Sequence, residues 1–326
     1  MYHMFAEISE EPDVVYRTLV HTRTAVTKLA DIIRESGTIF VAGSGSSFHA
    51  ALFLQSILLS MGKVAVAFQS SQNREFISEY IPQDSLMVIF SNSGESTDSL
   101  EALKRGRNIG IRVVGVTCSG ASRLARDSNF SIDSQSGEEK AIPATKSYLS
   151  QLAVSVAIGA ALRRMDVEVI PAIAKRIASE ALKDNTNVSK LAKLLGERVV
   201  VLGSGINYQA ALESALKLRE TAGIQTEGFA HREYLHGYLQ TLDHVTAIIS
   251  LVRQHNEEDE MVLSKLSSHS RSIIRVGSPI TDAAEPLSDF LRTIGLIVRI
   301  QMLSYFVALN RGLDPDNPSR LSKVVR

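Results

Sequence analysis

Short apolar runs recur along the chain. Each ends in glycine or small hydroxyl residues and gives way to a helical pattern. Leu86-Met87-Val88-Ile89-Phe90 is apolar at every position, the mark of a parallel strand buried on both faces. Similar runs predict strands near 38–42, 64–68, 112–117 and 129–132 in the first half. In the second half they predict strands near 198–202, 245–251 and 272–276, with a weaker one near 224–228. Helical patterns fill the gaps, and a long helix is expected near 12–35. Strand, helix and strand in turn imply parallel sheets covered on both faces. A helical stretch over roughly 146–195 joins the halves, with Pro171 marking a break or a helix start. The tail from Asn310 to Arg326 carries Gly312, Pro315 and Pro318 and reads as irregular.

The pattern also repeats. Thr38-Ile39-Phe40-Val41-Ala42-Gly43-Ser44-Gly45 runs into Ala50-Ala51-Leu52, and Arg198-Val199-Val200-Val201-Leu202-Gly203-Ser204-Gly205 runs into Ala210-Ala211-Leu212, at one offset of 160 residues. Arg74-Glu75-Phe76 is echoed by Arg232-Glu233-Tyr234, and Ser91 by Ser250. Such uniform offsets predict a duplicated unit. The expected organisation is two tandem doubly wound parallel-sheet (αβα) domains, residues 1–165 and 166–326.

The polar turns between strand and helix carry the candidate chemistry. Ser91-Asn92-Ser93-Gly94-Glu95-Ser96 stands between an apolar run and a helical pattern. Backbone N–H groups and a helix amino end favour an anion there, and serine hydroxyls add donors, so a phosphate is the expected ligand. A plain helix cap from Ser93 or Ser96 is the competing reading, but a cap uses one serine and three are present. Ser44, Ser46 and Ser47 add hydroxyls on the first glycine loop. A dinucleotide fingerprint fails: Phe48 and Tyr208 stand where its third glycine belongs, and Val64–Phe68 ends in Gln69-Ser70 rather than an acid. After Ile249 the chain reads Ser250-Leu251-Val252-Arg253, with no serine-rich loop. The first half is therefore expected to anchor the substrate, and the second to supply chemistry.

Composition narrows the classes. The 326 residues are 44% hydrophobic, with Lys+Arg and Asp+Glu balanced at 35 each. A neutral chain without a basic run gives no reason to expect nucleic acid or an anionic membrane. Cys118 is the one cysteine, so no internal disulfide can form and a reducing cytoplasm fits. Leu149–Leu162 is too short to span a bilayer, and Ile294–Leu309 is interrupted by Arg299 and Gln301, so both are expected as buried helices. His231 and His236, placed on one helix, would point about 140° apart and could not share a metal. Glu213 and Lys217, four apart, read as a helix-surface ion pair.

Four blocks resemble the SIS (sugar isomerase) family, especially the isomerase domain of glucosamine-6-phosphate synthase. They are Gly43-Ser44-Gly45-Ser46-Ser47-Phe48-His49-Ala50, Phe90 to Ser96, Ile142-Pro143-Ala144-Thr145-Lys146, and Ala211 to Glu220. Glu233-Tyr234-Leu235-His236-Gly237 and Pro318-Ser319-Arg320-Leu321-Ser322-Lys323 follow in order. The resemblance implies flavodoxin-like domains, no cofactor or metal, and a homodimer with shared active sites. It implies that Ser46, Ser47, Ser91, Asn92, Ser93 and Ser96 hold the substrate phosphate. It makes Glu220 the proton-transferring carboxylate, His236 the ring-opening histidine, Lys323 the sugar-bound lysine and Lys217 a further lysine of the site. These types suit the chemistry: a carboxylate can carry a proton between C1 and C2, a histidine can open the ring near neutral pH, and an amine can form an imine. Ala144 stands where the synthase pattern has a substrate-contacting serine. Ser319-Arg320 replaces Arg-Asn, Tyr238 replaces a proline and Leu235 a lysine. No glutaminase segment precedes the first strand, so the expected activity uses free ammonia. It is a phosphosugar isomerase-deaminase interconverting glucosamine-6-phosphate and fructose-6-phosphate. A fructosamine-6-phosphate deglycase and a non-catalytic phosphosugar sensor remain the alternatives.

Overall fold

The structure is a computed structural model that describes residues 2–165, 168–252, 256–279 and 287–323. Arg253 and the last three residues of the tail, both read above, lie outside this set. In chain order the elements begin α1 (His3–His21), α2 (Arg23–Glu35), β1 (Thr38–Gly43), α3 (Ser46–Ser60), β2 (Val64–Gln69), α4 (Asn73–Phe76), β3 (Leu86–Phe90), α5 (Thr97–Asn108), β4 (Arg112–Thr117), α6 (Arg123–Asp127) and β5 (Phe130–Asp133). There follow α7 (Lys146–Leu162), α8 (Ile170–Lys183), α9 (Asn185–Ala192), β6 (Arg198–Gly203), α10 (Asn207–Ala222), β7 (Gln225–Phe229), β8 (Thr246–Val252), α11 (Glu257–Ser267), β9 (Ser272–Gly277) and α12 (Ser288–Asn310).

The elements form two compact units, each with its own parallel sheet. One comprises Asp13–Glu139, Lys146–Lys175 and the tail from Ser322, and the other comprises the chain up to Pro12, Lys140–Thr145 and Arg176–Leu321. The first holds a five-stranded sheet of order β2-β1-β3-β4-β5, the second a four-stranded sheet of order β7-β6-β8-β9. Every pairing is parallel. The strand order reverses between β1 and β3 in one sheet and between β6 and β8 in the other. Such switch points are where open α/β sheets place ligands.

Each core follows from the apolar runs. Phe40, Phe68, Met87, Ile89, Leu103 and Val113 cluster beside the five-stranded sheet. Val200, Leu202, Ile248, Val262, Leu266 and Tyr234 cluster beside the four-stranded one. The two glycine loops share a close approach. A Cβ on Gly43 would lie 2.2 Å from the carbonyl oxygen of Ser47, and one on Gly203 would lie 2.2 Å from that of Asn207. Only glycine lets each strand end run this near the following helix.

The expected helix near 12–35 is corrected: there are two helices, and the first begins nine residues earlier, at His3. The Asp316 carboxylate caps it, accepting from the backbone N–H groups of His3 and Met4 at 2.7 Å each. A carboxylate at a helix amino end satisfies donors that the helix itself leaves open. α12 is the one described helix long and apolar enough to cross a membrane, and 78% of its apolar window is buried inside the protein. Its Arg299 reaches Asp184 at 2.9 Å, and its Gln301 is fully buried and donates to the Thr145 carbonyl at 3.3 Å.

Candidate active site

Two hydroxyl-bearing loops leave the carboxyl ends of β1 and β3, neighbours at the switch point that pair Ala42 with Ile89. Ser46 and Ser47 occupy the first turn of α3, and Ser96 is the cap residue of α5. The amino ends of both helices therefore carry the serines predicted to meet a phosphate. Ser96 sits at the cap position but makes no side-chain bond to the backbone. Its hydroxyl donates to Ser99 Oγ at 2.8 Å and lies 3.5 Å from Ser91 Oγ. Simple capping does not account for it.

The loop between β3 and α5 is held from behind. The Asn92 carbonyl accepts from the Cys118 amide (3.0 Å) and the Thr117 hydroxyl (2.9 Å). The Gly94 carbonyl accepts from the Leu124 amide at 3.0 Å. Gly94 has φ +63°, and a Cβ there would lie 2.3 Å from Ser122 Oγ. Glu95 accepts from the Arg123 amide and its Nε at 2.8 and 2.7 Å; these bonds and the guanidinium charge hold its carboxyl below the usual range. Two side chains that sequence reasoning missed complete the surroundings. Gln151 Nε2 donates to Ser47 Oγ at 3.0 Å, and Ser136 Oγ donates to Asn92 Oδ1 at 3.3 Å.

In the same unit, Lys323 donates through Nζ to Glu139 Oε2 at 2.8 Å. Glu139 also accepts from the Ser147 amide (3.1 Å) and hydroxyl (2.7 Å), at the start of α7. The tail lysine is thus tied to a buried carboxylate rather than simply solvated. No sequence motif singled out Glu139.

The other unit carries Lys217 and Glu220 on α10. Lys217 Nζ is ion-paired with Glu220 and lies 3.5 Å from Glu213. The side chains of Lys217 and Glu213 are 0% exposed, and that of Glu220 is 21% exposed. This corrects the expected surface pair: Glu213 and Lys217 are interior. The face of α10 that bears them packs inward with Ala210, Ser214, Thr221 and Ala222, and Thr221 Oγ1 donates to the Ser304 carbonyl of α12 at 3.3 Å. A buried ammonium beside a partly open carboxylate is an arrangement that can hold and hand on a proton.

His231 and His236 do not share a helix, contrary to expectation. They lie on a loop after β7 with two 3₁₀ turns, Glu233–Leu235 and Tyr238–Thr241. His236 ends the first turn, exposed, while His231 is fully buried. Ala144 lies two residues before α7, half-buried, and belongs to the unit of Lys217 and Glu220. Among the described residues, no group of three or more His, Cys, Asp or Glu side chains could hold a metal ion.

The profile of the SIS domain family matches residues 32–161 and 196–284. The glutamine–fructose-6-phosphate aminotransferase (isomerizing) of Pyrococcus horikoshii is 28% identical over 99% of this chain and 57% of its own length. The enzyme of the same name from Sulfolobus acidocaldarius is 27% identical over 99% of this chain and 56% of its own. The chain therefore spans less than two thirds of the length of these relatives. Among solved structures, the C-terminal domain of glucosamine-fructose-6-phosphate aminotransferase from Francisella tularensis superposes with TM-score 0.83 at 22% identity, over 97% of this chain and 98% of that one. Glucosamine-6-phosphate deaminase from Thermotoga maritima gives TM-score 0.82 at 22% identity, covering 99% of each chain. These structures share the fold. With both parallel sheets and both glycine loops inside the matched residues, the chain belongs to the SIS domain family.

Proposed function

We propose that the protein is a phosphosugar aldose–ketose isomerase that deaminates glucosamine-6-phosphate to fructose-6-phosphate and ammonia, and runs the reverse reaction when ammonia is plentiful. The observation that carries this reading is the Lys217–Glu220 pair: a half-open carboxylate held by a fully buried ammonium. The names of the similar aminotransferases and of the similar deaminase support the substrate class.

In this reading Ser46, Ser47, Ser91, Asn92, Ser93 and Ser96 hold the phosphate. His236 takes the proton of the anomeric hydroxyl and returns one to the ring oxygen, opening the sugar. Glu220 removes the C2 proton of the open-chain aldehyde and delivers it to C1, with Lys217 fixing its orientation. Lys323, as the free amine, adds to C2 of the resulting imine and displaces ammonia, and water then hydrolyses the Lys323 imine to the ketone and the free lysine. In the reverse direction Lys323 condenses with the ketone with loss of water and ammonia displaces it, and Glu139, 2.8 Å from Nζ, can accept the proton the lysine must lose to become a nucleophile. Ala144, in place of the serine of the synthase pattern, would alter selection at the 2-substituent or the far end of the sugar. A cytoplasmic homodimer that shares its sites belongs to the same proposal.

The test is a panel with purified protein: glucosamine-6-phosphate, fructose-6-phosphate with ammonium or with glutamine, and fructosamine 6-phosphates. Ammonia release from glucosamine-6-phosphate, lost in Glu220→Gln while phosphosugar binding persists, supports the proposal. Cleavage confined to an amino-acid adduct establishes a deglycase instead, and binding without turnover a sensor. Full activity in Glu220→Gln refutes the assigned base.

A further inference from the structure

His231 takes part in none of the chemistry above, yet it is among the most tightly held side chains of its unit. It is 0% exposed. Its Nδ1 lies 3.0 Å from Ser204 Oγ and its Nε2 lies 2.9 Å from Ser250 Oγ. Ser204 Oγ donates to Asp259 Oδ1 at 2.7 Å. A hydroxyl has one proton to give, so Ser204 accepts from Nδ1–H, and Nε2 then accepts from Ser250. The chain of donors runs one way, Ser250 to His231 to Ser204 to Asp259, and every hydrogen bond is made with a neutral ring. The residue types resemble a hydrolase triad, but the carboxylate takes its hydrogen bond from the serine at 2.7 Å and stands 3.5 Å from the ring Nδ1, and the ring is sealed from solvent. The group holds rather than attacks.

What it holds is the loop bearing His236. Ser204 follows β6, Ser250 lies on β8, and Asp259 lies in the first turn of α11. At offsets of 160 and 159 residues these two serines correspond to Ser44 and Ser91, members of the candidate anion loops. The switch point that offers serines to a ligand in one unit therefore grips an internal histidine in the other. The loop needs such a grip. The backbone bonds of Tyr234, Leu235, His236, Gln240 and Leu242 all reach back only three or four residues. Its other anchors are ring and apolar contacts: Tyr234, 1% exposed, and Tyr238 lie against Phe229, and Leu235, Leu239 and Leu242 pack on the core beside the sheet.

We propose that His231 is a positioning residue: clamped by Ser204, Ser250 and Asp259, it fixes the loop that presents His236 to the sugar. The role of the loop rests on the proposed isomerase reading; the clamp itself does not.

Two readings of one set of variants separate them. His231→Phe fills the space without hydrogen bonds, His231→Gln keeps one donor and one acceptor, and Ser250→Ala removes only the Nε2 partner. Amide hydrogen exchange over Arg232–Thr241 should rise at least tenfold in His231→Phe and threefold in Ser250→Ala, with β8 within twofold of the parent. With glucosamine-6-phosphate, kcat should fall at least tenfold in His231→Phe while KM stays within threefold, and His231→Gln should restore at least a third of kcat. Unchanged loop exchange in a folded His231→Phe or Ser250→Ala protein overturns the proposal. So does exchange rising equally in β8, or a loosened loop with undiminished kcat. If the parent turns over no phosphosugar, the isomerase reading fails and the exchange measurements alone decide the clamp.

Discussion

Replacing Lys217 by methionine isolates the most consequential charge in the protein. Its amine lies 3.5 Å from Glu213, and neither side chain is exposed. At an effective dielectric constant of 20, two unit charges at this separation attract by about 5 kcal/mol. Breaking a buried pair by deleting one member typically costs about 3–5 kcal/mol, because the survivor keeps its charge in a place water does not reach. An exposed pair of the same spacing would contribute about 0.3–0.5 kcal/mol. The two cases are far apart, and equilibrium urea unfolding resolves them. The chain contains no tryptophan, so circular dichroism is the suitable signal. Lys217→Met should lose about 3–5 kcal/mol, a fall in melting temperature on the order of 10 °C. Glu213→Gln should cost at least about 1 kcal/mol less in the Lys217→Met background than in the parent, since the two charges are coupled. A single-variant loss below about 1 kcal/mol, or losses that simply add in the double variant, would refute the claim that this pair is interior and energetically coupled.

Two further outcomes follow from individual side chains. Gly94→Ala must hold alanine at a left-handed φ of +63° and place its Cβ 2.3 Å from Ser122 Oγ, so phosphosugar affinity measured by calorimetry should fall at least tenfold, about 1.4 kcal/mol; unchanged affinity would remove this loop from the phosphate site. Burial pushes His231 below its ordinary value of 6.5, against the opposing charges of Asp259 and Glu260. The unfolded chain therefore binds the extra proton first, and stability present above pH about 6.5 is lost as pH falls below it. His231→Gln should flatten that part of the urea-midpoint profile between pH 5 and 8, and parallel profiles for variant and parent would show that His231 does not contribute.

Much of the architecture can be read from the chain because parallel strands buried on both faces leave an unbroken apolar signal. The nine expected strands all occur among the described residues, shifted by no more than a residue or two. The repeated Gly-Ser-Gly turns likewise mark both switch points. What fails to show is whatever depends on a distant partner. The start of α1 is set by Asp316, some 312 residues away. Four-residue spacing put Glu213 beside Lys217 but could not reveal that α10 is buried on that face. His231 and His236 invited a helix because nothing local shows that the chain between them is fastened by Ser204 and Ser250. Glu139 was invisible for the same reason, since its partners are Ser147 and the far tail.

The matched glycines, Gly43 and Gly203, carry a last consequence. Both are forced by the same steric contact, whether or not a ligand is ever bound. A copy without a substrate would keep its glycine, while its hydroxyls could be lost or, as at Ser204 and Ser250, turned to an internal partner. In a duplicated chain of this kind the glycine records the ancestry of the scaffold, and the serines record what each copy came to hold.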